Sequence, residues 1–286
     1  MLIVKKTFRW ALIVLLSIFA LMVIAAAIIR FAIFPNINQY KDTIATTISQ
    51  KIGLKTTVGH IVTGWDGLSP KVLIRAIDIY DKDNQPALHL KNVNGTISWL
   101  SIPLLHPTLS QLSVNDPKLT IHRNTNGSLF IAGIPMTGEG EPVFANWLLS
   151  QAHIKINNAA IVWQDDSRKA PPLSLKQVDI RLDNPAWRKI FGQHLFNIKA
   201  TPSTGTKYPI VLSGHFFGRD VSAINTWHGV ANLDTKEVDL TAWKAWLDYP
   251  IDLQSGAGKA KINLSFDRGN ILKLQADVHL NPLSVL

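Results

Sequence analysis

Histidine and carboxylate side chains are the groups in this sequence best suited to acid–base or metal chemistry, because cysteine is absent. Thiol catalysis, thiolate ligation and disulfides are thereby excluded. The nine histidines, His60, His89, His106, His122, His153, His194, His215, His228 and His279, are scattered along the chain. None of them forms a His-Glu-x-x-His pair or a comparable metal-ligand spacing. Several alternate with apolar neighbours, His153 beside Ile154 and His279 beside Leu280, which assigns them to the polar face of strands. Asp165-Asp166 and Glu139-x-Glu141 are acids adjacent in sequence. A catalytic dyad draws its members from different elements, so these read as solvated turns. Thr204-Gly205-Thr206-Lys207 lacks the full phosphate-loop pattern, and no Gly-x-Ser-x-Gly occurs. No catalytic residue, metal set or cofactor site emerges, and an anchored hydrolase is the least supported reading.

The elements that would position any site begin with a hydrophobic one. Trp10 to Ile29 carries Ser17 as its only clearly polar side chain, and Trp10, Leu15, Phe19, Ile24 and Ile29 mark its course. About 20 residues at ~1.5 Å each cross a ~30 Å hydrocarbon core, and in lipid a helix is required to satisfy the backbone. Lys5, Lys6 and Arg9 precede the span and the first acid is Asp42, so the positive-inside rule leaves the N-terminus in the cytoplasm. A cleaved signal peptide is the competing reading, with Ala25 and Ala27 as its processing site. Apolar residues continue through Ile28, Ile29, Phe31 and Phe34, which favours a retained anchor over residues 1–34. Arg30 falls at the far interface, where it can snorkel.

A net charge of +9 invites a nucleic-acid reading. The basic residues are spread singly, without an arm or an Arg-rich helix, and a membrane would separate them from the genome. Anionic lipid headgroups fit them better. A long cysteine-free domain beyond a membrane suits a bacterial envelope.

Residues 35–54 form an amphipathic helix, with Ile37, Tyr40, Ile44, Ile48 and Ile52 on one face and Gly53 as its stop. It packs on the domain that follows, lies at the membrane surface, or does both. From Lys55 onward the period falls to two. Ala260, Ile262, Leu264 and Phe266 alternate with Lys259, Lys261, Asn263 and Ser265. A turn at Asp267-Arg268-Gly269-Asn270 follows, and Leu272, Leu274, Ala276, Val278 and Leu280 resume the pattern. This is a long antiparallel hairpin with one apolar side. Similar alternation at Leu119/Ile121, Ala152/Ile154/Ile156, Val178/Ile180/Leu182, Phe196/Ile198/Ala200 and Ile210/Leu212/Gly214/Phe216 predicts a β meander. Phase slips at Asn92 and Gln177 predict bulges, and 143–149 and 240–247 predict short helices. Trp243 and Trp246 are placed to cover one end of the sheet. The terminal 281–286 offers no edge-blocking element, so the chain is expected to be the N-terminal part of something longer.

Gly53-Leu54-Lys55-Thr56-Thr57-Val58-Gly59-His60-Ile61, followed by Gly64-Trp65-Asp66-Gly67-Leu68-Ser69-Pro70, resembles the N-terminal region of the AsmA-like proteins, most of all the large YhdP type. The likeness continues through Ala76 to Asp81, Leu88 to Trp99 and Leu119 to Leu129, and takes in the preceding anchor. It implies a bacterial inner-membrane protein, single-pass, with residues 55–286 in the periplasm. The implied fold is mainly β, a long curved antiparallel sheet forming an apolar groove of the bridge-like lipid-transfer type. The implied activity is movement of phospholipids between inner and outer membranes, with outer-membrane biogenesis as its setting. The YhdP type is far longer than this chain, and a dozen strands at ~4.8 Å span only ~60 Å, an entrance to such a bridge rather than the whole.

Candidate groove-lining residues are Val178, Ile180, Leu182, Phe196, Ile198, Ile262, Leu264, Phe266, Leu272, Leu274 and Val278. Alternation alone serves a closed sandwich equally well. An envelope scaffold that binds outer-membrane or other envelope proteins through its sheet edge or amphipathic helix is the second functional reading.

Overall fold

The computed structural model describes residues 2–81, 84–99, 101, 108–135, 143–184, 191–246, 253–280 and 284–285. Glu139, Glu141, His106, Trp187 and the 281–283 stretch lie outside them, as do the side chains of Lys5 and Lys6.

The N-terminal helix α1 runs Leu2–Ile28, and Ser17, the one clearly polar side chain from Trp10 onward in it, donates to the Ile13 carbonyl at 2.9 Å. That back-bond removes the hydroxyl from an apolar surrounding. Pro35 does not end the helical path. A π turn over Ile29–Ile33 and a 3₁₀ stretch over Phe34–Tyr40 lead into helix α2, Lys41–Ile52. Proline has no N–H and crowds the carbonyl four residues back. Widening the ladder, so that the Phe34 N–H meets the Ile29 carbonyl, accommodates it. The result is a helical rod from Phe8 to Gln50, 43 residues, containing one segment long and apolar enough to cross a membrane. Gly53 at φ 72 stops the rod, its N–H closing on the Ser49 carbonyl at 2.9 Å.

Among the described residues sixteen strands follow: β1 Thr56–Asp66, β2 Ser69–Tyr80, β3 Pro86–Ile97, β4 Leu109–Asn115, β5 Lys118–Arg123, β6 Leu129–Ile131, β7 Ile134–Pro135, β8 His153–Asp165, β9 Leu173–Asp183, β10 Gln193–Pro202, β11 Ile210–Phe217, β12 His228–Asp239, β13 Leu253–Ser255, β14 Ala257–Asp267, β15 Asn270–Leu280 and β16 Ser284–Val285. Fourteen of them make one sheet, and β13 pairs β16 in a separate ribbon. The fold is mainly β, as the alternation requires.

Neighbouring strands are antiparallel except at β8, which runs parallel to both β4 and β5. Leu112 faces Ile154 and Leu119 faces Ile161 at one constant offset. So β4 and β5 are a single strand interrupted at Asp116-Pro117, where Asp116 takes φ 53. The interruption is matched across the seam by Asn158 at φ 53, whose side chain donates to the Asp116 carboxylate at 2.6 Å. Period-two patterning fixes which face a residue takes but not which strand lies beside it, so the parallel seam is not visible in the sequence.

The expected bulge at Gln177 is present, with φ 50 and a register shift against β10. The slip near Asn92 is a kink that crosses three strands without shifting their register. Ala76 takes φ 55, and the buried side changes phase between Val58 and Ile61 on β1 and between Leu90 and Val93 on β3. Gly59 sits where a Cβ would stand 3.0 Å from the Arg75 carbonyl oxygen, and only glycine fits without displacing that backbone.

The apolar face of β1–β3 is covered. Ile37, Ile44, Ala45, Ile48 and Ile52 pack on Val58, Ile61, Ile77, Ile79 and Leu88, with Ile134 and Ala145 joining from later in the chain. Asn38 pins the rod to β1, donating to the Ile61 carbonyl and accepting from its N–H, both at 2.9 Å. The amphipathic helix thus packs on the sheet, one of the placements its pattern allows. Helices form at 143–149 and at Leu240–Trp243, the latter capped by Asp239, whose carboxylate accepts from Thr241 N at 2.9 Å. The Thr241 hydroxyl bond, foremost, holds the Asp239 pKa below its ordinary value.

Candidate functional site

Direct pairing across successive antiparallel strands places like residues in line. One row runs Ile154, Leu182, Phe196, Gly214, Ala231, Leu264 and Leu274 from β8 to β15. A second runs Ile156, Ile180, Ile198, Leu212, Leu233, Ile262 and Ala276. Seven strands thus present two unbroken apolar rows on one face. Among the described residues the strands make one fourteen-stranded sheet and one two-stranded ribbon, with no second large sheet to serve as the other half of a sandwich.

The candidate residues distribute along this face unevenly. Leu182, Phe196, Leu264 and Leu274 belong to the first row and Ile180, Ile198 and Ile262 to the second. Val178 is 1% exposed, enclosed by Ala159, Ile161 and Ala200. Toward β15 the cover thins: Ile262, Leu264 and Phe266 are half-buried, while Leu272 and Leu274 are 69% and 60% exposed and Val278 is also exposed. A bulge sets Ile271 as well as Leu272 against Phe266, leaving Ile271 open too.

The floor of the rows contains residues that were not among the lining candidates. Gly214 and Ala231 sit between Phe196 and Leu264, and a Cβ on Gly214 would run into the Val230 carbonyl. The short residues lower the middle of the first row, and the Phe196 ring lies over Gly214. Strand β12 was not evident, because its apolar side reads Gly229, Ala231, Leu233, Thr235, with only one large aliphatic.

The polar face carries paired histidines, as expected. His89 meets Asp78 at 2.5 Å, His122 meets Asp166 at 2.7 Å, His153 meets Asp183 at 2.7 Å and His279 meets Asp277 at 3.1 Å. These exposed pairs contribute ~0–1 kcal/mol each. His194 departs from that reading. It is buried, its Nδ1 is 2.6 Å from the Asn184 side-chain oxygen and its Nε2 2.7 Å from the Gly218 carbonyl. Its ring stacks on Phe216 at 4.8 Å, and Phe216 stacks on Trp227 at 4.7 Å, closing one end of the rows. The signal was available in phase: His194 has the parity of Phe196 and Ile198.

Asp165 also departs from the solvated-turn reading. It is 3% exposed and ion-paired with Arg123, while the Ser167 hydroxyl donates to it at 2.6 Å. The Arg123 hydrogen bond is the main cause that lowers its pKa to about 2, against a burial effect of opposite sign. Arg123 and Asp165 are register partners on β5 and β8, so the pair clasps the parallel seam. Trp243 and Trp246 meet at 5.9 Å, Trp243 against Gly205 and Trp246 donating to the Pro171 carbonyl at 2.9 Å, which caps the other end of the sheet. Among the described residues no group of histidines and acids is arranged to hold a metal ion.

A family model described as YhdP protein matches residues 1–285. The chain belongs to the YhdP family. The resemblance seen over the first half of the sequence therefore extends through the hairpin β14–β15, and the rows belong to an AsmA-like envelope protein with an apolar helix suited to anchoring it in a membrane. The search of curated proteins and the search of solved structures each found no match.

Proposed function

We infer that this YhdP-family chain carries phospholipid acyl chains along the two cross-strand rows, in a path that leads from the inner toward the outer membrane. The observation that supports this is the continuity of the rows combined with their rising exposure from β8 to β15. Six interstrand steps at ~4.8 Å give ~29 Å, close to twice the ~15 Å depth of one leaflet's hydrocarbon. An acyl chain drawn into water costs ~0.8 kcal/mol per CH₂, and a face of this length removes most of that cost while headgroups stay in solvent. Helix α2 occupies the apolar face at β1–β3, so lipid joins the rows beyond that cover rather than at the first strands. Lys5, Lys6 and Arg9 ahead of the span support a cytoplasmic N-terminus and a periplasmic sheet. Burial of α2's apolar side also removes it as a docking face, which weighs against the scaffold reading.

A photo-crosslinking residue at Leu264 or Leu274 is expected to yield phospholipid adducts in cells, and one at Val178 none. Lipids co-purifying with the folded chain, identified by mass spectrometry, should be lost in Ile262→Asp while the sheet stays folded. If Ile262→Asp folds and retains its lipid, the rows are not the carrier.

A further inference from the structure

We propose that the β1–β2 turn is a second membrane contact, a shallow foot in which Leu68 enters the leaflet beside the exit of α1. The inference rests on the membrane-anchor reading of α1 and is independent of lipid carriage.

Depth is set by the helix. From Trp10 to Arg30 the rod rises ~30 Å at ~1.5 Å per residue, which places Arg30 at the far edge of the hydrocarbon. Strand β1 runs back along this rod in steady correspondence. Ile61 is bonded to Asn38, Thr63 donates to the Phe34 carbonyl at 3.5 Å, and the Trp65 ring lies 6.0 Å from the Arg30 guanidinium. Two strand residues, ~6.6 Å, thus advance with four helix residues, ~6 Å. Continued past Trp65, the same correspondence brings the tip of the hairpin level with helix positions N-terminal to Arg30, inside the hydrocarbon boundary.

The residues at that tip fit the position. Gly67 takes φ 58, turning the chain sharply, and Leu68 behind it is 85% exposed among the described residues. Trp99 donates its indole N–H to the Leu68 carbonyl at 3.2 Å, and Trp65 packs on Phe34 at 5.8 Å. Two indoles and an arginine at this end of β1–β3 are side chains suited to an interfacial layer, where an apolar body and a polar edge are both satisfied. Asp66, exposed beside the turn, keeps the insertion shallow, because a carboxylate stays at headgroup level. Two points of attachment restrict rotation of the sheet about α1, which one helix alone would permit.

The absence of cysteine makes the test clean. Single cysteines at Leu68→Cys, Ile24→Cys and Thr125→Cys, the last in the β5–β6 turn at the opposite ends of the strands, are labelled with an environment-sensitive fluorophore. The 286-residue chain is then placed in vesicles of phosphatidylethanolamine and phosphatidylglycerol carrying a nitroxide at a shallow acyl position. The Leu68 probe should be quenched at least twofold more than the Thr125 probe and blue-shifted toward the Ile24 probe. A Leu68 probe quenched no more than Thr125, with Ile24 quenched, overturns the foot and leaves the anchor standing. An unquenched Ile24 probe overturns both. Crosslinking at Leu264 is read separately, so failure of lipid carriage leaves this result unchanged.

Discussion

The two ends of the sheet use the same alternating residues differently. Over β1–β3 the apolar side is closed by the helical rod, and Ile61, Ile77 and Ile79 are core. Over β12–β15 the same pattern is left open, so Leu272, Leu274 and Val278 face outward. A residue's parity decides its face; whether that face becomes core depends on what the rest of the chain brings to it. Burial in the covered region stabilises the fold, whereas the exposed rows contribute little and remain free for a ligand.

The largest contrast is expected between Val178→Asp and Leu274→Asp. The first places an unpaired carboxylate in a closed cluster and should cost about 3–5 kcal/mol; the second should stay within ~0.5 kcal/mol of wild type. Urea denaturation of the detergent-solubilised chain, followed by tryptophan fluorescence, measures both, and similar losses would break the distinction. Next is Ile61→Ala, which opens a cavity beneath the rod and should cost about 2–4 kcal/mol, against under ~1 kcal/mol for Leu272→Ala in the same assay. Arg123→Met leaves the shielded Asp165 carboxylate without its partner, and a loss of about 1–2 kcal/mol is expected in the midpoint of denaturation at neutral pH.

The smallest effect is that of acid. Folding lowers the Asp165 pKa from 3.8 to about 2, so its contribution is complete above pH 3.8 and lost as pH falls through about 2. The carboxylate is covered by its immediate neighbours at the C-terminal end of β8, and solvent screening there reduces the contribution to about 1 kcal/mol. The acid limb of the stability curve should flatten by that amount in Asp165→Asn, with the open rows of β12–β15 unaffected.

Much of the architecture could be read from the residues. Hairpin β14–β15 follows from strict alternation around Asp267-Arg268-Gly269-Asn270, where Arg268 and Gly269 take φ 50 and 76 as a tight two-residue turn requires. The span Trp10 to Ile29 follows from hydropathy. What escaped was of two kinds. Strand β12 is built mostly from small residues, whose apolar signal is weak although their placement matters. His194 and Asp165 are polar residues taken inside because partners distant in sequence, Asn184 and Arg123, complete their hydrogen bonds. The outer face of the sheet, by contrast, obeyed its pattern: His89, His122 and His153 all found carboxylates across a strand.

The parallel seam has a consequence for how the sheet assembles. Most neighbouring strands are joined by short connections and can zip as hairpins, a fast and local process. Strand β8 meets β4 and β5 only after forty-two residues of intervening chain, and closing that loop carries an entropy cost before any ladder bond forms. The fourteen-stranded sheet is therefore two meanders, β1–β7 and β8–β12 with β14–β15, that nucleate separately and are welded along one line. Amide exchange along Leu112, Val114, Leu119 and Ile121 should report the weld as the last protection gained on refolding.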